Sequence, residues 1–290
     1  MDLLLIATQG LNGIQFGITL FLMAAGLTLV FGVMNLINLA HGSLYMMGAY
    51  LAATLQQKTG SFLAAMALSV PITVGIGILV EVIALQKLYR RDHLDQVVAT
   101  FGLILFFNEL VRIIWGPQAY FMALPESLSR SVEVLPGVPY PLYRLVIIVV
   151  GLAVALFLYW LINGTRLGML IRAGASNRQM VNALGVNIRL LYTAVFGLGA
   201  ALAGLAGMMA GPILSIEVGM GEHILILALV VIVIGGIGSV RGAFLAAILL
   251  GIVDTFGRVL LPAALASMVI YLFMAAVLCL KPQGLFPGNG

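Results

Sequence analysis

The sequence predicts an all-α fold, a polytopic bundle of transmembrane helices, on the basis of three observations. Hydrophobic residues make up 62% of the 290 residues and charged residues only 8%, whereas a soluble domain carries about 25% charged residues. Apolar stretches of about 20 residues, the length that crosses a bilayer as a helix, recur along the chain. Charged residues collect between these stretches, where loops are expected. We therefore predict a single transmembrane domain over residues 1–290.

We predict about nine membrane segments, within a range of about eight to ten, some of them broken or re-entrant. In chain order they are residues 11–33, 34–55, 62–86, 96–115, 143–162, 190–212, 224–234, 243–260 and 264–280. Helical spacing predicts ion pairs between Glu109 and Arg112 and between Asp254 and Arg258. Glu81 is placed to pair with a basic residue at the inner end of the third segment.

The distribution of basic residues predicts the orientation of the chain. A polar stretch between the fifth and sixth segments holds a cluster of arginines, and no Asp or Glu occurs between Glu133 and Glu217. The arginines are Arg166, Arg172, Arg178 and Arg189. Because Lys and Arg are enriched in cytoplasmic loops, we expect this stretch in the cytoplasm. Lys58 is the first basic residue and Lys281 follows the last segment, so we predict the N-terminus outside and the C-terminus in the cytoplasm.

The second segment, residues 34–55, is too polar for a helix that faces lipid. On a helical wheel, its small and polar side chains fall within about 80 degrees of one another. They are Asn35, Asn38, Gly42, Tyr45 and Ala49. Asparagine in hydrocarbon needs a hydrogen-bond partner, so this face is predicted to look into protein or water. The candidate substrate pathway comprises Asn35, Asn38, His41, Gly42, Ser43 and Tyr45.

Two conformations of this second segment are open. In one, the helix breaks at His41, Gly42 and Ser43, and Ser43 caps the second half, so that free backbone groups and helix dipoles line a cavity. In the other, the helix is continuous and its asparagines bond to a neighbouring helix. His41 alone is weak evidence for a ligand or proton site, since a lone histidine usually hydrogen-bonds locally.

The loop of residues 164–190, which we call the elbow, carries the arginine cluster. From residue 171 to residue 184 only Gly174 interrupts the helical pattern. The pattern predicts one short surface helix with Met180 and Leu184 on the same stripe.

The sequence also predicts where the elbow ends. Gly185 fits the C′ position after the surface helix, and Asn187 can cap the next helix, which starts at Ile188. Two roles fit so rigid a loop. It is either a docking site for a cytoplasmic partner or an interfacial helix held by lipid headgroups.

The sixth segment contains a stripe of small residues that predicts close helix packing. Every fourth residue along part of the sixth segment is small, which lets another helix approach closely. These residues are Gly199, Ala203, Gly207 and Gly211.

The stretch GGIGSVRGA, residues 235–243, predicts either a turn or a re-entrant segment. Five prolines exclude a single helix from the external loop, residues 116–142. This loop covers the external mouth, contacts an extracytoplasmic protein, or only connects two segments.

Several signatures of catalysis are absent from the sequence. No G-x-x-x-x-G-K-[ST] loop occurs, so the chain has no Walker A site for ATP. No H-E-x-x-H or G-x-S-x-G motif occurs, and the three histidines, His41, His93 and His223, are scattered. We therefore expect no enzyme activity and no metal or cofactor in this chain. The excess of basic over acidic residues, 14 against 10, reflects charge bias in the loops, so we expect no nucleic-acid partner.

Three separated stretches resemble one protein family. They are MNLINLAHGSLYMMGAYLA at residues 34–52, ALGVN at residues 183–187, and GGIGSVRGA with the downstream GAFLAAILLG at residues 235–251. In this order and spacing they resemble the LivH type of inner-membrane permease of branched-chain amino acid ABC importers. The resemblance covers essentially the whole chain.

This resemblance implies a permease subunit of the bacterial inner membrane that works with several partners. They are a second, LivM-like permease, two cytoplasmic LivG/LivF-like ATPase subunits and a periplasmic substrate-binding protein. ATP and Mg²⁺ would be held by the ATPase subunits, and the solute would be a branched-chain or other neutral amino acid. Related importers carry urea, short amides, or aliphatic or aromatic acids. From a different class, a stand-alone channel or facilitator for a small neutral solute also fits the polar second segment.

The resemblance further implies that the elbow contains the coupling helix that sits in a groove of an ATPase subunit. The residues concerned are Arg172, Ala175, Ser176, Asn177, Met180, Ala183, Leu184 and Gly185. The Glu-Ala-Ala opening of the wider importer motif is absent, and residues 172–175 read Arg-Ala-Gly-Ala instead. ATP binding and hydrolysis would move the elbow as a lever, and the pathway would open to alternating sides.

Overall fold

The structure, a computed structural model, describes residues 3–89 and 91–286. Its helices are α1 (Leu3–Met34), α2 (His41–Thr59), α3 (Phe62–Ile83), α4 (His93–Trp115), α5 (Leu142–Gly164), α6 (Arg166–Ser176), α7 (Arg178–Ala183), α8 (Ile188–Ala210), α9 (Met220–Gly235), α10 (Val240–Leu260) and α11 (Ala263–Leu280). A 3₁₀ turn at Leu85–Leu88 lies between α3 and α4. Two strands, β1 (Ser131–Leu135) and β2 (Val138–Pro141), precede α5. The predicted all-α class is confirmed.

Within the described residues, six helices are long and apolar enough to cross a membrane. They are α1, α3, α4, α5, α8 and α10. Helices α9 and α11 are apolar but shorter, and α2 has 19 residues but is more polar. The chain is therefore a mainly helical, multi-pass membrane protein. Each predicted segment coincides with one of these helices, while the number of crossings and the orientation stay predictions.

Helix α1 forms the centre of the bundle. It is 32 residues long, and 83% of its most apolar stretch is buried, against 17–22% for α3, α4 and α5. It packs against α5, α8, α9 and α10. The predicted start of the first segment at residue 11 was wrong, because the helix begins at Leu3. The apolar side chains of α1 therefore form the protein core, and those of α3, α4 and α5 mostly face outward.

Glycines let α1 and α10 touch along their length. A Cβ on Gly13 would lie 2.8 Å from the Cα of Ile252. A Cβ on Gly32 would lie 2.9 Å from the Cα of Gly238, which comes just before α10. The two helices are antiparallel, and small residues allow their backbones to approach this closely.

The small-residue stripe of α8 lies between α1 and α2. A Cβ on Gly199 would lie 2.9 Å from Cγ2 of Val30 in α1, and one on Gly207 would overlap the backbone of α2. Ala203 and Gly211 are also buried. Helix α8 is thus packed tightly against both helices that flank the predicted pathway.

The external loop contains a β-hairpin that the sequence analysis did not predict. Strand β1 pairs with β2 in antiparallel fashion, with Ser131 opposite Pro141. A separate bridge joins Tyr120 to Ile216, in the segment before α9. The exclusion of a single helix from this loop is confirmed.

The glycine-rich stretch of residues 235–243 forms a turn, one of its two predicted conformations. Helix α9 ends at Gly235, and Gly236 and Gly238 have φ angles of 99° and 79°. Ser239 then caps α10 by accepting a hydrogen bond from the N–H of Gly242 at 3.0 Å. Glycine adopts positive φ angles without steric strain, which explains why glycines occupy both of these positions in the turn.

Both predicted ion pairs are confirmed. Arg112 Nη1 lies 2.8 Å from Glu109 Oε1, and Arg258 Nε lies 2.8 Å from Asp254 Oδ2. Each pair joins neighbouring turns of one helix, as the i,i+3 and i,i+4 spacings require.

Candidate functional site

The helical conformation is interrupted between α1 and α2, over residues 35–40, which we call the break. Asn35 has a φ of 51°, in the left-handed region that asparagine enters more readily than most residues. Helix α2 then starts at His41 without a side-chain cap. The broken conformation is therefore correct, but the break precedes His41, and the predicted cap by Ser43 was wrong. Because Asn35 and Asn38 lie outside both helices, the helical-wheel argument does not apply to them.

Asn38 and His41 are buried beside this break. Their exposed fractions are 1% and 0%, and among the described residues no hydrogen-bond partner reaches the amide of Asn38 or the ring nitrogens of His41. The ring approaches the backbone of Met23 without hydrogen-bonding geometry. A Cβ on Gly26 would lie 2.9 Å from Nε2 of the ring, and one on Gly199 would lie 3.5 Å from Cε1. Leaving a buried polar group unpaired costs about 1–3 kcal/mol, which marks this crossing of α1, α2 and α8 as a candidate binding place.

The start of α2 lies inside the bundle. His41 contacts Gly26, and α1 continues for eight residues beyond it to Met34. At 1.5 Å per residue, the contact is about 12 Å from the end of α1. Residues 35–40 therefore run back along α1 before α2 begins. Ser43 and Tyr45, from the predicted pathway set, are buried in the first turns of α2.

Helix α9 begins next to the start of α2. A Cβ on Gly42 would overlap the backbone of Gly221, and one on Gly221 would overlap the backbone of Gly42. The predicted start of the seventh segment at residue 224 was wrong, because α9 begins at Met220 after Gly219, which has a φ of 90°. Neither helix start has a side-chain cap. Two positive helix ends thus lie together next to His41, and the carboxylate of Glu222 in the first turn of α9 partly offsets the charge of one of them.

Gln96 is a site residue that the sequence analysis missed. It is 3% exposed in the first turn of α4. Its Oε1 accepts a hydrogen bond from the N–H of Ile37 at 3.2 Å. Its Nε2 donates to the carbonyl oxygens of Leu88 at 3.3 Å and Arg91 at 3.2 Å. One side chain therefore joins the break to the loop between α3 and α4. The signal in the sequence was an amide inside an apolar segment, which needs partners there.

Glu81 is buried near the end of α3, and in the described part of the chain its partners are neutral donors instead of a basic residue. Its carboxylate accepts hydrogen bonds from the hydroxyl of Thr193 at 2.9 Å, from the amide of Gln86 at 3.2 Å and from the hydroxyl of Tyr89. Burial and the hydrogen-bonded Glu81 carboxylate raise the pKa of Tyr89, so this hydroxyl stays protonated and donates. The cluster joins the end of α3 to the beginning of α8.

The elbow consists of two short helices, so the single helix predicted for it was wrong. Asn177 separates α6 from α7 with φ −152° and ψ 89°, and its side chain caps α7 by accepting from the N–H of Met180 at 3.0 Å. A short polar side chain competes with helical backbone bonds in this way. The predicted end of the elbow is confirmed. Gly185 has a φ of 84°, and Asn187 caps α8 by accepting from the N–H of Leu190 at 3.2 Å.

The eight elbow residues predicted to contact an ATPase subunit all lie on its exposed surface. Met180 and Leu184 are 63% and 78% exposed, whereas Val181 between them is buried. Ile171 and Gly174 of α6 are buried as well. The elbow is thus held against the bundle on one side and presents apolar side chains among arginines on the other, a surface that suits either a protein partner or lipid headgroups.

The described residues offer polar recognition groups without a metal cluster. Within residues 3–89 and 91–286, no three His, Cys, Asp or Glu side chains lie close enough together to hold a metal ion. The polar groups at the α1–α2 break are an amide, an imidazole and helix starts, which can bind a polar solute through hydrogen bonds and partial charges.

Comparisons with known proteins identify the family of the chain. The family described as the permease component of the branched-chain amino acid transport system matches residues 10–278. The high-affinity branched-chain amino acid transport system permease protein BraD of Pseudomonas aeruginosa is 32% identical over 96% of this chain and 94% of its own length. The corresponding protein LivH of Escherichia coli K12 is 28% identical with the same coverage, and a probable LivH of Methanocaldococcus jannaschii is 27% identical over 92% and 88%. No solved structure matches the chain. The chain therefore belongs to the family of permease components of branched-chain amino acid transport systems.

Proposed function

We propose that this chain is a permease subunit of an ATP-driven importer, forming half of the translocation pathway for branched-chain or other neutral amino acids. The observation that carries this proposal is the anchored elbow, which exposes Met180 and Leu184 among arginines. A separate ATPase subunit can push on such a surface, and the sequence has no Walker A loop of its own. The similarity to BraD and LivH, which are named as branched-chain amino acid permeases, supports the substrate class.

The pathway in this proposal passes the α1–α2 break. Asn38 and His41 supply unpaired polar groups there, and the adjoining starts of α2 and α9 supply positive partial charge. Together they suit the carboxylate of an amino acid. The apolar side chains of α1 and α8 around this point suit a branched hydrocarbon side chain.

The proposal includes a topology and a set of partners. The chain crosses the bacterial inner membrane about nine times, with its N-terminus outside and its C-terminus in the cytoplasm, as the arginines of the elbow favour. A LivM-like permease supplies the other half of the pathway. Two LivG/LivF-like ATPase subunits hold ATP and Mg²⁺, and a periplasmic binding protein delivers the solute to the external loops.

The substitution Met180→Asp tests the docking role of the elbow. A carboxylate in place of an apolar side chain is expected to weaken docking to the ATPase subunit by about 2 kcal/mol, roughly 30-fold in affinity. We expect solute uptake by the assembled complex in proteoliposomes to fall with it, while the amount of chain inserted in the membrane stays unchanged. Met180→Leu is the matched control and retains uptake. Normal uptake with Met180→Asp would contradict the proposal.

A stand-alone facilitator for a small neutral solute is the second candidate. The polar break lies within this one chain, and that observation favours it. Purified chain alone in liposomes distinguishes the two functions. Solute flux without nucleotide or ATPase subunits supports the facilitator, and flux that requires the ATPase subunits supports the importer.

A further inference from the structure

The first step of the inference is the contact between α8 and Glu81. Helix α8 starts at Ile188, in the last residues of the elbow, and Thr193 lies in its second turn. The hydroxyl of Thr193 lies 2.9 Å from Oε2 of Glu81 and 3.1 Å from the carbonyl oxygen of Arg189 in its own helix. Because Glu81 is completely buried, its carboxylate depends on such donors. A shift of the first turns of α8 therefore acts directly on the end of α3.

The second step runs from Glu81 into the loop between α3 and α4. The same carboxylate accepts from the amide of Gln86 at 3.2 Å and from the hydroxyl of Tyr89. The ring of Tyr89 also packs edge-to-face on Tyr192 of α8, with ring centroids 5.3 Å apart, within the range of about 4.5–7 Å that is usual for such pairs. The loop that contains the 3₁₀ turn is therefore held to α8 by a hydrogen-bonded carboxylate and by a ring contact.

The third step runs from this loop to the break. Gln96 donates to the carbonyl oxygens of Leu88 and Arg91 in the loop, and accepts from the N–H of Ile37 in the break. Ile37 directly precedes Asn38, whose amide has no partner among the described residues. Both the oxygen and the nitrogen of the Gln96 amide are thus engaged, so a displaced loop acts on the backbone beside Asn38.

We propose that Thr193, Glu81, Tyr89 and Gln96 form a hydrogen-bonded relay that couples displacement of the elbow to the backbone of the pathway break. The inference rests on the proposed function, because it assigns the elbow as the input and the break as the output. These four side chains are positioning residues, since they act on the solute only through the break. Partly buried hydrogen bonds suit this purpose because they are directional and can exchange between discrete arrangements.

The relay is tested in the assembled complex with its ATPase subunits, in proteoliposomes, where solute uptake and ATP hydrolysis are measured together. Thr193→Val and Gln96→Met remove the polar contacts at the two ends with little change in side-chain volume. We expect hydrolysis to continue, while the number of solute molecules moved per ATP falls by at least about fivefold. The double variant is expected to be no worse than either single variant, because one missing link already interrupts the relay.

Controls separate the relay from general damage to the fold. Thr193→Ser restores the hydroxyl and is expected to restore the coupling ratio. Thr8→Val removes a hydroxyl that donates to the carbonyl oxygen of Leu4 in its own helix, and it is expected to leave the ratio unchanged. If the Gln96→Met complex does not assemble, Tyr89→Phe serves instead, because it removes the hydroxyl that donates to Glu81.

Two outcomes would overturn the relay. One is a wild-type coupling ratio in Thr193→Val and in the variants at Gln96 or Tyr89. The other is independent, multiplicative losses in the double variant. Failure of the proposed function gives a different result, because Met180→Asp would then transport normally. If Met180→Asp abolishes uptake while the relay variants couple normally, only the relay is wrong.

Discussion

Gly48 of α2 and Gly204 of α8 touch through their backbones. A Cβ on Gly48 would lie 2.5 Å from both the Cα and the carbonyl oxygen of Gly204. Backbone atoms cannot move aside as the end of a flexible side chain can. This contact therefore sets the distance between α2, which begins at the break, and α8, which begins at the elbow.

We predict that Gly48→Ala destabilises the protein by about 1–3 kcal/mol, because the added methyl group forces the two backbones apart. A lower melting temperature in detergent would report the loss. Gly102→Ala in α4 is the matched control. A Cβ at Gly102 meets nothing within 4 Å, and alanine is favoured over glycine in a helix by about 0.5–1 kcal/mol. Equal stability of the two variants would contradict the packing argument.

At the scale of elements, the two-helix structure of the elbow depends on one asparagine, Asn177. Asn177 ends α6 and caps α7, so the two short helices meet at a defined angle. Helix α7 has only six residues, and a helix this short is marginal without a cap and tertiary contacts. The exposed positions of Met180 and Leu184 therefore depend on the side chain of Asn177.

We predict that Asn177→Ala destabilises α7 by about 1 kcal/mol through loss of its N-cap. Amide hydrogen exchange in α7 should then be roughly fivefold faster, while exchange in α8 stays unchanged. Asn163→Ala serves for comparison, because Asn163 donates to the carbonyl oxygen of Tyr159 in the last turn of α5 and caps no helix start. Unchanged exchange in α7 of the Asn177 variant would show that its cap is dispensable.

At the scale of the whole molecule, the proposed coupling requires that the elbow and the external hairpin lie on opposite sides of the membrane. Helix α5 runs from the hairpin directly to the elbow over 23 residues, a length of about 35 Å at 1.5 Å per residue. A helix of that length spans the hydrocarbon core of a bilayer, which is about 30 Å thick.

This topology is tested by labelling single cysteines with a membrane-impermeant maleimide. In a Cys279→Ser background, Arg178→Cys in the elbow is expected to react in inside-out vesicles and not in intact spheroplasts. Ser129→Cys, before the hairpin, is expected to show the reverse pattern. Reaction of Arg178→Cys from the outer side would invert the orientation and remove the mechanical basis of the proposed function.

Local chemistry was sufficient to predict several features of this protein. The hydropathy of the chain placed the membrane segments close to the observed helices, because an apolar stretch of sufficient length is helical wherever it packs. The caps at Gly185 and Asn187 and the pair Asp254–Arg258 were also predictable. In each of these, the partners lie within one or two helical turns, so no knowledge of the fold was needed.

Features that depend on distant parts of the chain were not predictable from the sequence. Two hydrogen bonds of the site join residues that lie far apart in the sequence. Ile37 and Gln96 are 59 positions apart, and Glu81 and Thr193 are 112 apart. No periodic pattern in the sequence indicates that such distant residues meet. The exact place of the break was missed for the same reason. It depends on how residues 35–40 fold back along α1, and a helical wheel assumes that no such fold occurs.

The sequence by itself thus determined the class of the fold, the approximate positions of the membrane segments and the exposed character of the elbow, because these follow from hydropathy, charge and capping within short windows. Only the tertiary structure decided that α1 is the buried centre, that α2 and α9 begin side by side, and that Glu81 and Gln96 bond to distant parts of the chain. Glycine contacts and buried polar pairs act between helices, and their partners are selected by the packing of the whole bundle.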